Sequence, residues 1–286
     1  MPVELIEKKQ YPGFGECIYC GKKAGETELT DEHIVPFSLG GNAVIVDGSC
    51  KSCAAETSKI ELELGRKVLM DFRTHANVQT RRPNDRPTEL AFSYSVAGGP
   101  TQSKTVPIGD HPYFTPLPVW GLPGLLEGRL PRHEFEHYKA HVFYWLPPNI
   151  KQILALPDGV AAELPFPEFR FNHEYCARAI AKIAYCQTVV QFGLHNFRRL
   201  VLPQLILGKY PEIPYYVGCK IEDPPPPTER KVVHKIEVAT EVVYGKRLLV
   251  TTVRLFSNSG VDNHGPPIYE VVVGAPPTDW RTRTFP

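Results

Sequence analysis

Long apolar runs are missing from this 286-residue chain. No stretch reaches the roughly 20 consecutive apolar residues that a membrane helix needs, so no membrane partner is expected. Net charge is nearly missing too: 32 Lys and Arg against 31 Asp and Glu leave +1 at pH 7. A protein that is basic throughout is thereby excluded, and any nucleic-acid surface must be a local patch. The opening nine residues, Met1 to Lys9, carry charges with no apolar segment behind them. A secretion signal is therefore not expected, and the cytoplasm is the expected location. No internal repeat is visible. Proline, by contrast, is abundant at 29 residues and predicts many extended, irregular connections. With 42% hydrophobic and 22% charged residues, the composition is that of a globular protein large enough to bury a proper core.

The seven cysteines are unevenly spread. Cys176, Cys186 and Cys219 are scattered, whereas Cys17-Ile18-Tyr19-Cys20 and Cys50-Lys51-Ser52-Cys53 form two C-x-x-C knuckles. In a reducing compartment, paired cysteines are expected to bind metal rather than to form disulfides. Each tight turn can direct two sulfurs to one ion, and four sulfurs at ~2.3 Å complete a tetrahedral Zn²⁺ shell with no open position. Gly21, directly after Cys20, suits the left-handed turn such knuckles use. A redox-active C-x-x-C would be single, and this one is duplicated. The segment between the pairs, residues 21–49, is longer than the gap of a simple zinc ribbon. Something else is folded there.

That insert contains Thr30-Asp31-Glu32-His33-Ile34-Val35-Pro36, followed by Leu39-Gly40-Gly41-Asn42. In order and spacing, residues 17–61 resemble the HNH nuclease family, in particular members whose active hairpin is clamped by two C-x-x-C pairs. The resemblance implies a ββα-metal fold and a DNA endonuclease that hydrolyses phosphodiester bonds with one divalent ion, Mg²⁺ or Mn²⁺, beside the structural zinc. It implies His33 as general base, Glu32 as metal ligand and Asn42 as the residue that fixes the His33 ring. Consecutive strand residues face opposite ways, so Glu32 and His33 can share a site only if the strand bends. The sequence departs from the family directly after the last cysteine, where a ligating Asn or His is replaced by Ala54. Ser58-Lys59-Ile60-Glu61 matches a segment of the Glu-His relatives, so Glu61 is the expected helix-borne ligand, with Thr57 one turn earlier assisting. The alternative is a catalytically inactive, zinc-dependent module that binds DNA or protein. A redox protein is a more distant third reading.

A helix over 54–73 would bury Ile60, Leu64, Val68, Leu69 and Phe72 and expose Arg66, Lys67 and Arg73. With Arg81, Arg82 and Arg86 just beyond, these residues are candidates for gripping DNA phosphates. The fold class expected for the whole chain is α+β. A zinc-stapled module occupies 1–76, with 1–16 as a short leader, and a mixed domain with a C-terminal β-hairpin occupies 77–286. The role of that domain is open between DNA recognition, regulation and homodimer contact.

Within it, residues 81–131 read as short strands on a looped path and 133–145 as a helix that would stack His133, His137 and His141. Residues 148–156 read as a strand. Asn172–Phe192 reads as a well-capped helix and Asn196–Leu207 as a shorter one that Pro203 interrupts. Lys231–Tyr244 and Arg247–Phe256 read as a hairpin about Gly245-Lys246, joined by a third strand at Ile268–Val273. The aromatic clusters Tyr215-Tyr216 and Phe143-Tyr144-Trp145 are expected in the core.

Overall fold

The computed structural model describes residues 9–78, 80, 83–136, 138–165, 170–221, 234–256 and 267–277. The chain is α+β, as the sequence predicts, with several small sheets and few helices.

The first unit is a three-stranded sheet and a helix. Strands β2 (Leu29–His33) and β3 (Ala43–Cys50) pair antiparallel. The expected leader supplies a third strand: β1 (Lys9–Tyr11) pairs parallel with β3. In the connection between β2 and β3 the chain packs so tightly that a Cβ on Gly41 would lie 1.9 Å from the Val35 carbonyl oxygen. Only glycine fits at that position. Helix α1 (Lys51–Glu63) begins directly at the second knuckle and buries Cys53, Thr57, Ile60 and Glu63, one residue per turn.

The single helix expected over 54–73 is broken. Residues Leu64–Val68 form a π turn, with the Leu69 N–H reaching back five residues to the Leu64 carbonyl, and α2 (Met70–His75) follows. Its apolar stripe is nevertheless as expected: Ile60, Leu64, Val68 and Leu69 are buried and Phe72 is partly so.

Strands β4 (Glu89–Val96), β5 (Gln102–Pro107) and β6 (Tyr113–Val119) occupy the proline-rich stretch. The expected helix over 133–145 is instead strand β7 (Lys139–Trp145), paired with β6 along its whole length. Its run of Val142 to Trp145 is β-branched and aromatic, and cross-strand pairing outweighed the helical spacing of the histidines. His137 lies outside the described residues, His133 is exposed, and His141 sits on a strand. Tyr144 is exposed and not core. The expected strand at 148–156 is a helical turn, α3 (Ile150–Ile153). Ile150, Ile153 and Leu154 recur at helical spacing and pack on Phe92, Tyr94 and Val106 in a small second core. Strand β8 (Ala162–Glu163) closes the β5-β4-β8 sheet.

Helix α4 (His173–Phe192) is the spine of the molecule. Its N-cap Asn172 accepts a hydrogen bond from the Tyr175 N–H at 3.0 Å, as the sequence suggests. The expected helix at 196–207 shrinks to α5 (Leu202–Ile206), because Pro203 is tolerated only in a first turn. After α6 (Ile213–Tyr216) and β9 (Val217–Lys220), β10 (His234–Val243) and β11 (Lys246–Leu255) form the predicted hairpin, and β12 (Ile268–Gly274) joins it. The order is β10-β11-β12-β9. One hydrophobic core runs without a break from Cys17, Ile60 and Leu64 through α4 to Val250 and Val272. Among the described residues no helix is long and apolar enough to cross a membrane.

Candidate functional site

The four knuckle cysteines come together as the spacing predicts. The Sγ atoms of Cys17, Cys20, Cys50 and Cys53 all lie within 4.8 Å of one another. Gly21 takes φ +75° and its N–H closes the first knuckle on the Cys17 carbonyl at 2.9 Å. The second knuckle is held by the end of β3 and the first turn of α1. The thiols are electrostatically tied: a hydrogen bond with Cys53 holds the Cys17 thiol down, and the same contact pushes the Cys53 thiol up. Four soft donors converging on one point fit a structural Zn²⁺, and they leave no protein-free position for a reacting water.

The knuckle is pinned from outside its own segment. The Ile18 carbonyl accepts from Tyr185 Oη at 2.6 Å and from Arg199 Nη1 at 3.2 Å, and Tyr19 Oη meets Cys186 Sγ at 3.4 Å. Glu63, at the end of α1, accepts from the Asn172 backbone N–H at 2.7 Å and pairs with Lys67 at 3.0 Å. Helix α4 is thus bolted to both the cysteine knuckle and α1.

Glu32 on β2 and Glu61 on α1 both reach into the gap between their elements. What holds them is Lys182, from the middle of α4. Its Nζ lies 2.8 Å from Glu32 Oε1 and 2.7 Å from Glu61 Oε1, and it also donates to the His33 carbonyl. Lys182 is 0% exposed and Glu32 4%. Burial works to lower the Lys182 pKa, but Glu32 and Glu61 more than offset it and raise it above its ordinary value. Removing one member of such a buried cluster typically costs about 3–5 kcal/mol, because a charge is left without its partner.

With the ammonium between them, the two carboxylates do not fit a divalent ion. Thr57 is buried one turn away, and its hydroxyl donates to the Ala54 carbonyl at 3.2 Å. His33 does not join the carboxylates in a ligand cluster. Among the described residues the cysteine quartet is the only group of three or more His, Cys, Asp or Glu with all ligand atoms within 4.8 Å. The bulge in β2 falls between Thr30 and Glu32, before the motif, so Glu32 and His33 pair regularly with Ile45 and Val44. Pleating then directs their side chains to opposite faces. The His33 ring sits 5.9 Å from that of Phe37. Asn42 directly precedes β3 and lines an open cleft of about 670 Å³ together with Tyr11, Ile34, Gln187 and His234.

Of the expected phosphate-gripping residues, Arg66 and Lys67 are exposed on the π turn, although Lys67 is paired with Glu63. Arg73 is a correction. It is half-buried, burial lowers its pKa, and its Nη1 donates to the Gly65 carbonyl at 2.8 Å, which braces the π turn. Arg86 likewise donates to the Val78 carbonyl. Arg81 and Arg82 lie outside the described residues.

Sequence reasoning missed Lys182, although a signal was present. In Cys176-Ala177-Arg178-Ala179-Ile180-Ala181-Lys182-Ile183-Ala184 the helix is apolar all round except for two bases one turn apart. A helix of that pattern is buried, so both bases need partners. Arg178, 5% exposed, finds the Ile206 carbonyl at 3.1 Å.

Two antiparallel strands joined to a helix, with four convergent cysteines at the seams, define a cysteine-clamped ββα module. Residues 17–69, which span this module, match the HNH endonuclease family. The match covers less than a fifth of the sequence. It suggests a nuclease or nucleic-acid-binding role. No curated protein and no solved structure matches the chain.

Proposed function

We propose that this protein acts on DNA through its HNH module, hydrolysing phosphodiester bonds with His33 as general base. The observation that carries the reading is the Glu32-His33 sequence on β2, inside a segment that matches the HNH endonuclease family. An imidazole has an ordinary pKa near 6.5 and suits proton abstraction from water at neutral pH. Asn42 is the residue we assign to orient it. The exposed Arg66 and Lys67, with Arg81 and Arg82, would hold phosphates without reading sequence. Zinc at Cys17, Cys20, Cys50 and Cys53 is structural in this reading. The finer assignment, Mg²⁺ or Mn²⁺ held by Glu32, Glu61 and Thr57, conflicts with the ammonium between the carboxylates, and no step is derived through it.

Lys182 favours a second reading, a zinc-dependent module that binds DNA and does not cut it. Plasmid cleavage with Mg²⁺ or Mn²⁺, with and without EDTA, beside a His33→Ala control and a gel-shift assay, separates the two. Cutting that depends on the added ion and on His33 supports hydrolysis. Binding without cutting supports the second reading, and neither binding nor cutting sinks both.

A further inference from the structure

We propose that Lys182 is the resident cation of the Glu32–Glu61 site, so that in this chain the carboxylate pair takes no divalent ion. Three observations carry this. First, the ammonium is saturated. Its three N–H donors meet three acceptors, the Glu32 and Glu61 carboxylates and the His33 carbonyl oxygen, so none is left for substrate or water. Second, the spacing is that of an ammonium. The carboxylate oxygens stand 2.8 and 2.7 Å from the nitrogen, whereas Mg²⁺ requires ~2.0–2.1 Å from its oxygens. Third, the cation cannot swing away. Lys182 is 0% exposed at the centre of a 20-residue helix, flanked by Ile180, Ile183 and Tyr185, all fully buried. Neighbouring Tyr185 is itself hydrogen-bonded to the zinc knuckle. Lys182 therefore belongs to the core and is not a lid.

The charge balance points the same way. Two carboxylates around one ammonium leave one negative charge over, and removing the ammonium leaves two, with Glu32 buried and Glu61 only partly exposed. A divalent ion would neutralise that pair. Lys182 is thus a positioning residue that holds β2, α1 and α4 together where an HNH nuclease would hold its ion. The inference rests on the geometry of the carboxylates and stands apart from the question of cleavage.

The test is Mn²⁺ binding to the zinc-loaded full chain, read by electron paramagnetic resonance, together with thermal unfolding with and without Mn²⁺. Wild type should bind Mn²⁺ no better than Glu61→Gln, and its unfolding temperature should not rise with Mn²⁺. Lys182→Ala should unfold at lower temperature and gain one Mn²⁺ site at least tenfold tighter than any in wild type. Mn²⁺ should recover much of its lost unfolding temperature, and adding Glu32→Gln should abolish both effects. A lysine that merely filled space would give the destabilisation without the metal rescue, and that result overturns the proposal. So does a wild-type Mn²⁺ site that weakens in Glu61→Gln, because the ion would then displace the ammonium. Should Lys182→Ala not fold, the comparison of wild type with Glu61→Gln still decides. Loss of DNA cleavage in every assay would sink the nuclease reading and leave this result untouched.

Discussion

His33 and Glu32 are neighbours in sequence, yet they serve different surroundings. Glu32 turns into the protein and is neutralised by a lysine 150 residues further along the chain. His33 lends that lysine only its backbone oxygen, and its ring lies beside Phe37. If the imidazole is the general base, its removal acts only on the attacking water. His33→Ala should then lower the cleavage rate by about 10²–10⁴-fold, the usual contribution of acid–base catalysis. Zinc content and DNA affinity should stay nearly unchanged. A variant that keeps most of its activity in a single-turnover assay would remove His33 from the mechanism.

At the scale of elements, the module depends on two fasteners. The cysteine quartet brings β3 and the start of α1 to the turn at Cys17–Cys20, and zinc held there would fasten them. Binding energy at such a site is folding energy, about 10–16 kcal/mol in small zinc peptides. Cys50→Ala should therefore release zinc and unfold residues 17–69. Elemental analysis finding no zinc in the native chain would show that the quartet serves another purpose. The second fastener is the start of α4, where Asn172 caps the helix with its side chain and gives its own N–H to Glu63. Asn172→Ala keeps the backbone contact and loses only the cap, so it should cost about 0.5–2 kcal/mol. Glu63→Ala leaves a part-buried N–H unsatisfied and should cost about 1–3 kcal/mol. Urea denaturation of both variants checks the order, which fails if the cap variant is the weaker one.

Across the whole molecule, distant segments are joined by groups that must stay neutral. His234, on β10, reaches back to the module. Its ring stands 2.8 Å from the Leu39 carbonyl through Nε2, while Nδ1 accepts from the Phe256 N–H at 3.4 Å. The first contact needs a proton on Nε2 and the second a lone pair on Nδ1, so the neutral ring fits both. Burial lowers its pKa from 6.5 to about 4, with the Leu39 carbonyl working the other way. Burial and then His111 lower His75 to about 4 as well. A depressed histidine contributes stability that is complete above pH 6.5 and is lost as pH falls from there towards 4, because the unfolded chain takes up the proton first. For His234 this amounts to roughly 3 kcal/mol at most. The wild type should therefore lose stability between pH 7.5 and 5, and His234→Gln should lose visibly less. Equal slopes for the two proteins in chemical denaturation would refute the assignment, and zinc release at low pH cancels in the comparison.

The sequence by itself determined whatever depends on neighbours along the chain. The C-x-x-C pairs, the Glu-His-Ile-x-Pro strand, the buried stripe of α1 and α2, the capped α4 and the β10–β11 hairpin were all legible, because turns, caps and periodicity are local. Tertiary structure decided the rest. It made residues 139–145 a strand by giving them β6 as a partner, and it drew residues 9–11 into the module's sheet. It also turned Arg73 inward to brace the π turn. Above all it set Lys182 between Glu32 and Glu61. A ligand pair can be recognised from spacing, but the cation that fills it comes from a helix more than a hundred residues away, and only folding brings that charge to the site.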